Sequence, residues 1–315
     1  MTTPIFAIAN QKGGVGKTTT AINLSACLVE RRQRVLLVDL DPQANATSGL
    51  GMPKAEGGSL YRLLLAGGDV RAQIRPTAYR RFDLIPSEVD LAGAEVDIVM
   101  ARDYLHRLGG LLRPLAETGE YDQIFIDCPP SLGVLTMNAM TAADALLVPM
   151  QCEYYALEGV STILRIVEQI RTTGANPRLQ IDGVVLTMYD ARTKLAQQVV
   201  VEIFQHFGDR VYESLIPRNV RLSEAPSYGK PVVVYDRHST GAVAYRRLAR
   251  EFLKRHPRPA ADGEASPPGV SEPEGLDGVQ PAEAAAPAPA PAGPSEPDAA
   301  APAAEPPAGA AGGAE

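Results

Sequence analysis

The chain has 315 residues, with 30 Lys and Arg against 37 Asp and Glu, a formal net charge of −7. That charge is uneven: residues 257–315 hold ten acidic residues and one basic residue, which leaves the first 256 at +2. No apolar run approaches the roughly 20 residues that span a bilayer, no secretory leader is recognisable, and Cys27, Cys128 and Cys152 lack metal-ligand spacing. A soluble intracellular protein with free thiols is expected.

Short apolar runs alternate with longer amphipathic segments. Pro4–Asn10, Arg34–Asp39, Gln123–Asp127, Ala145–Pro149 and Gly183–Met188 read as strands, and their unbroken hydrophobicity predicts burial on both faces. Helices are predicted near 17–31, 90–118, 134–143, 156–174, 194–207 and 241–255. Phe82–Ile85, Val211–Ile216 and Val232–Tyr235 are candidates to extend the sheet. This repetition predicts one α/β domain over residues 1–256, a mostly parallel twisted sheet with helices on both faces. From 257 to 315 the composition turns to Ala, Pro, Gly and Glu, and the segment holds 14 of the 27 prolines. Such a tail buries too little apolar surface to offset its ordering entropy and is expected to be disordered and acidic.

Asn10-Gln11-Lys12-Gly13-Gly14-Val15-Gly16-Lys17-Thr18-Thr19 follows a predicted strand and opens a predicted helix, the context of a phosphate-binding loop. Glycines let successive N–H groups wrap phosphate oxygens, and the helix N-terminus adds positive field. Lys17 is placed to reach the β- and γ-phosphates, and the Thr18 hydroxyl to bind Mg²⁺. The general pattern has glycine six places before that lysine; here the place holds Gln11, and an additional lysine, Lys12, follows it. Further on, Asp39 and Asp41 lie at i and i+2, so on an extended chain they point the same way. Carboxylates beyond a strand end in an open α/β sheet face the ligand crevice. Asp41-Pro42 also reads as a simple turn. Asp127 closes another apolar run in the same manner.

Residues 12–19, Lys-Gly-Gly-Val-Gly-Lys-Thr-Thr, resemble the deviant Walker A motif of the ParA/MinD family of P-loop ATPases, with Lys12 in the place of the family's signature lysine. Val35–Gln43 resembles the family's switch I segment, and Ile124–Ser131 its Walker B strand. The resemblance implies nucleotide contacts by Lys12, Gly13, Gly14, Val15, Gly16, Lys17, Thr18 and Thr19, with Met188, Pro217 and Asn219 where the adenine pocket lies. It implies Mg²⁺ near Thr18, Asp39 and Asp127, and Asp41 positioning the attacking water. Lys12 would cross an ATP-bound sandwich dimer to the partner's phosphates, assisting hydrolysis beside Lys17 and Asp41.

Residues 187–193 and 216–227 resemble the chromosomal ParA (Soj) branch, and the likeness runs from about residue 4 to 256. This implies an ATP-dependent homodimer on nonspecific double-stranded DNA, bound through Arg192 and Arg221 with Arg218 and Lys230 widening the patch. ATP and Mg²⁺ are the implied cofactors, a ParB-type centromere-binding protein the implied partner, and the nucleoid in the cytoplasm the implied location. Iron–sulfur branches of the family need paired cysteines that this sequence lacks. Three alternatives stand beside this reading. Arg192 pairs with Asp190 and only aids solubility; Tyr245–Arg255 acts as a MinD-like amphipathic membrane anchor; or the protein is a nucleotide-gated scaffold that barely hydrolyses ATP.

Overall fold

The computed structural model describes residues 2–54, 56–153 and 156–257. Of the tail expected over 257–315, residues 258–315 lie outside the described residues. One sheet is built from β1 (Ile5–Ile8), β2 (Val35–Asp39), β3 (Arg75–Pro76), β4 (Phe82–Ile85), β5 (Gln123–Asp127), β6 (Ala145–Gln151) and β7 (Gln180–Thr187), in the order β3-β4-β2-β5-β1-β6-β7. All neighbours are parallel except β3 and β4. The helices are α1 (Lys17–Glu30), α2 (Asn45–Gly49), α3 (Tyr61–Ala66), α4 (Leu91–Asp97), α5 (Arg107–Glu117), α6 (Val134–Ala142), α7 (Ala156–Thr172), α8 (Lys194–Phe207), α9 (Val220–Glu224), α10 (Val232–Tyr235) and α11 (Thr240–Arg255).

The unbroken apolar strands do serve two faces. Along β1, Ile5 and Ala7 join one core while Phe6 and Ile8 join the other; β2 divides Leu36 and Val38 from Val35 and Leu37 in the same way. The first core is closed by Leu91, Leu112, Leu135, Ile163 and Ile203, from α4 to α8. The second is closed by Leu24 and Leu28 of α1 and by Tyr245, Leu248 and Phe252 of α11. Full burial of each such side chain stabilises by about 1.5–3 kcal/mol.

Three expectations change. The helix predicted over 90–118 is broken: α4 passes into a short 3₁₀ turn (Ile98–Met100), Ala101 is extended, and α5 starts at Arg107. Buried Asn138 of α6 stabilises the break, donating to Tyr104 O at 2.7 Å and accepting from Leu108 N at 3.1 Å. Val232–Tyr235 is helical rather than a strand. There the Val232 N–H donates to Asn23 Oδ1 at 2.7 Å, and Val232 and Val233 enter the second core, so packing overrides β propensity. Val211–Ile216 runs beside β7 through scattered bonds, Tyr212 N to Val184 O and Ile216 N to Leu186 O, without forming a strand. The approach is close at Gly183, where a Cβ would lie 2.5 Å from the Tyr212 ring. Phe82–Ile85 is the strand β4, as expected.

Parallel pairing brings the site together. Asp127 is the register partner of both Ile8 and Asp39, so β1, β2 and β5 end side by side where the loop after β1 begins.

Candidate nucleotide site and basic edge

The loop between β1 and α1 has a backbone that its glycines permit. Gly14 and Gly16 stand at φ of +73° and +88°, where a side chain would strain the chain. Its base is fastened by side chains from two strand ends and from the start of α1. Asn10 accepts from Lys12 N at 3.0 Å and donates to Pro149 O at 2.8 Å. Thr187, the last residue of β7, donates to Val15 O at 2.8 Å. Lys17, the first residue of α1, is buried and donates to Lys12 O at 3.1 Å. Burial lowers the Lys17 pKa, and the opposing charges of Asp127, Cys128 and Asp41 limit the drop. Gly13 and Gly14 are exposed, so the rim is open to a ligand.

The carboxylates lie below that rim. Asp39 is buried; its Oδ2 accepts from Thr47 N at 2.8 Å and Thr47 Oγ1 at 2.7 Å, and its Oδ1 from Asp41 N at 3.3 Å. Burial raises its pKa to about 6 despite these bonds. Asp127 is completely buried, and neither carboxylate oxygen has a hydrogen-bond partner. Burial, then the charge of Asp39, pushes its pKa well above the usual carboxylate range; the Thr18 hydroxyl faces it and partly offsets the shift without completing a bond. Asp41 is buried at the head of a tight turn and accepts from Gln43 N at 2.9 Å. Among the described residues no group of three or more His, Cys, Asp and Glu side chains is arranged to hold a metal ion. Two carboxylates and a hydroxyl beside a phosphate loop nevertheless suit Mg²⁺, which takes one or two carboxylates and completes its shell with water and phosphate oxygens. The two orphaned oxygens of Asp127 fit that role.

Lys12 reaches across the rim to Glu153, just beyond β6, at 3.0 Å, with both side chains about half exposed. Met188 follows Thr187 at φ +52°, beside the loop base. Pro217 bridges Tyr189. The Asn219 amide is engaged within the fold, donating to Thr240 Oγ1 at 2.6 Å and capping α9 through Arg221 N at 2.9 Å.

The bridge at Tyr189 and the bond from Arg218 N to Tyr189 O bring residues 189–192 and 217–221 to one edge. Arg192, 88% exposed, makes a forked contact to Asp190 at 2.9 and 2.7 Å. Those bonds hold Asp190 down at about 2. Arg221 pairs with Glu224 at 2.8 Å and Asp236 at 3.3 Å. Arg218 and Lys230 are exposed. Thr47, Thr187, Asn10 and Glu153 were not singled out in the sequence. The strand-end argument that marked Asp127 would have marked Thr187, the last residue of β7, but not Glu153, which lies two residues past the end of β6.

A family model described as an AAA domain matches residues 3–181. The chromosome partitioning protein ParA of Caulobacter vibrioides is 50% identical over 252 residues, covering 80% of this chain and 94% of that protein. The sporulation initiation inhibitor protein Soj of Bacillus subtilis is 52% identical over 248 residues, covering 78% and 97%. A crystal structure from Mycobacterium smegmatis, named cobyrinic acid a,c-diamide synthase with bound ADP and magnesium, is similar with a TM-score of 0.69 at 37% identity, covering 81% of this chain and 95% of that one. Coverage is nearly complete on the relatives' side. With its phosphate loop, paired strand-end carboxylates and parallel sheet, the chain belongs to the ParA/Soj family of chromosome-partitioning P-loop ATPases.

Proposed function

We propose that the chain hydrolyses ATP to ADP and phosphate as a timed switch, binding DNA without sequence preference as an ATP-held homodimer and releasing it after hydrolysis. The observation that carries this reading is Asp127: a fully buried carboxylate with two unpartnered oxygens under a left-handed glycine loop. Such a group is costly unless a cation or donor completes it. Thr18, Asp39 and Asp127 would hold Mg²⁺, whose charge offsets that of the triphosphate. The N–H groups of Gly13–Thr19 cradle the phosphates, and Lys17 turns from Lys12 O toward the β- and γ-oxygens. Asp41 orients the attacking water. Lys12 leaves Glu153 to reach the phosphates of the second copy, stabilising charge on the transferring group as an arginine finger does. Met188, Pro217 and Asn219 border the adenine side.

Arg192, Arg221, Arg218 and Lys230 form the DNA-facing edge. Contacts of this kind grip phosphates of any sequence and weaken with salt. A ParB-type protein would stimulate hydrolysis and so set the lifetime of the DNA-bound state, which places the protein on the nucleoid in the cytoplasm. No helix among the described residues is long and apolar enough to cross a membrane.

The test uses an Asp41→Ala protein, presented with random-sequence duplex DNA and with anionic vesicles, each with ATP or ADP. ATP-dependent DNA binding that disappears with Arg192→Ala or Arg221→Ala is the expected result. Vesicle binding without DNA binding would replace this reading with a membrane-cycling one.

A further inference from the structure

Arg247, Arg250 and Lys254 stand at i, i+3 and i+7 on α11 and so share one outer face, where all three are exposed. Among the described residues none of them makes an ion pair or a hydrogen bond, whereas their helix neighbours do: Arg246 holds Glu30 at 2.7 Å and Arg255 holds Glu251 at 2.9 Å. The three unpaired cations line a groove of about 760 Å³, whose far wall is the segment after Tyr212. Two acids also line it. Glu251 is already committed to the N–H groups of Glu213 and Ser214 and to Arg255, which leaves Glu213 as the one uncommitted carboxylate. The groove is therefore a cationic slot in search of a polyanion.

The same chain carries one. Residues 258–279 begin just past α11 and hold Asp262, Glu264, Glu272, Glu274 and Asp277 against a single Arg258. Lys254 to Arg247 is seven residues of helix, about 10 Å, while the eight residues from Pro257 to Glu264 reach as far as roughly 26 Å. Length is no obstacle.

We propose that the acidic segment 258–279 occupies the α11 groove and neutralises Arg247, Arg250 and Lys254, screening that face from other polyanions. A phosphate backbone or an anionic lipid surface offers the same charge, but arrives as a separate molecule. A segment tethered next to the groove acts at an effective concentration in the millimolar range, so individually weak charge contacts are enough to fill it. The groove also includes Pro217 and Thr240 and so adjoins the proposed adenine side, but the inference concerns its α11 wall, and its test needs no ATP.

The experiment uses the full chain with a nitroxide attached through Ser266→Cys. Cys27, Cys128 and Cys152 are buried and their thiol pKa values are raised by burial, so the label goes to the new cysteine. At about 0.01 M salt, where the Debye length is about 30 Å, the backbone resonances of Val243 and Ala244 should broaden. At about 1 M salt, with a Debye length of about 3 Å, the broadening should vanish. It should vanish equally when the five acids are changed to Asn and Gln, and when Arg247, Arg250 and Lys254 are changed to Gln; all eight positions are charged, and the three on the helix are exposed. Broadening absent at low salt, or unmoved by either set of substitutions, overturns the proposal. So does a result in which the labelled segment leaves these resonances untouched while added duplex DNA or phosphatidylglycerol vesicles shift them, because the slot then serves that polyanion.

Discussion

Thr47 grips one oxygen of Asp39 twice, through its N–H at 2.8 Å and its hydroxyl at 2.7 Å, and the same hydroxyl accepts from Ser87 N at 2.9 Å. One buried side chain thus links the end of β2, the start of α2 and the end of β4. Thr47→Val keeps the shape but removes both hydroxyl bonds, leaving the Ser87 N–H without an acceptor. The expected cost is about 1–3 kcal/mol of stability. Because Asp39 then loses its aim, half-maximal binding of a fluorescent ATP analogue should need several-fold more Mg²⁺. Thr47→Ser should restore the Mg²⁺ requirement; if Thr47→Val leaves it unchanged, Thr47 does not position Asp39.

The cost of keeping Asp127 is testable separately. Its carboxylate is buried without a completed hydrogen bond and repelled by Asp39 and Asp41, and the facing Thr18 hydroxyl and then the Lys17 charge compensate only in part. Asp127→Asn removes the charge at nearly constant volume. The ligand-free protein should melt higher, by about 2–4 °C for each kcal/mol relieved, while Mg²⁺-dependent nucleotide binding is lost. Calorimetry with and without Mg²⁺ and nucleotide reads both effects, and a lower melting temperature would refute the prediction.

Arg192 and Asp190 restrain each other. Asp190 is held at about 2, chiefly by the side-chain bonds from Arg192 and then by its backbone N–H. A folded pKa below the ordinary value, about 3.9, means that the contribution to stability is complete above that value and is lost as pH falls through about 2. The pair is exposed, so melting at neutral pH should barely move in Arg192→Ala. Asp190 should then titrate in the ordinary carboxylate range in a carboxyl NMR experiment. Asp190→Asn does the opposite for function: it frees the guanidinium and removes a negative charge, and should tighten DNA binding several-fold at low salt. Weaker binding would mean that Asp190 is needed to aim the arginine.

The segment bearing Asp41 and Thr47 touches the basic edge through bare backbone. Gly51 follows α2 at φ +73°, and Gly229 precedes Lys230 at φ +62°. A Cβ on Gly229 would lie 2.6 Å from Gly51 Cα and 2.9 Å from Gly51 N. Gly229→Ala must therefore part the two segments, at a cost of about 1–3 kcal/mol. ATP affinity should change less than ATP-dependent DNA affinity, because the phosphate loop lies elsewhere. Equal losses in both, measured by titration, would show that the contact is merely structural.

Much of this architecture is local information. Glycines that must stand at positive φ, a lysine at the first helical position, and carboxylates closing apolar strands are properties of short segments, and they located Gly14, Gly16, Lys17, Asp39 and Asp127 before any contact was known. Continuous apolar runs likewise implied a sheet covered on both faces, and the alternation of β1 and β2 between two cores has that form. Other features depend on residues far apart in the chain. Val232–Tyr235 has strand-like residues, yet Asn23, more than two hundred positions away, takes its first N–H and turns it helical. The helix over 90–118 breaks because Asn138 of α6 satisfies the backbone at the gap. Thr47 holding Asp39, Thr187 bracing Val15 and Glu153 pairing with Lys12 have no periodicity to reveal them. Side-chain period and glycine geometry act within a few residues and leave a mark on the sequence. Which donor meets which buried acceptor is decided only when parallel strands bring their ends to one edge.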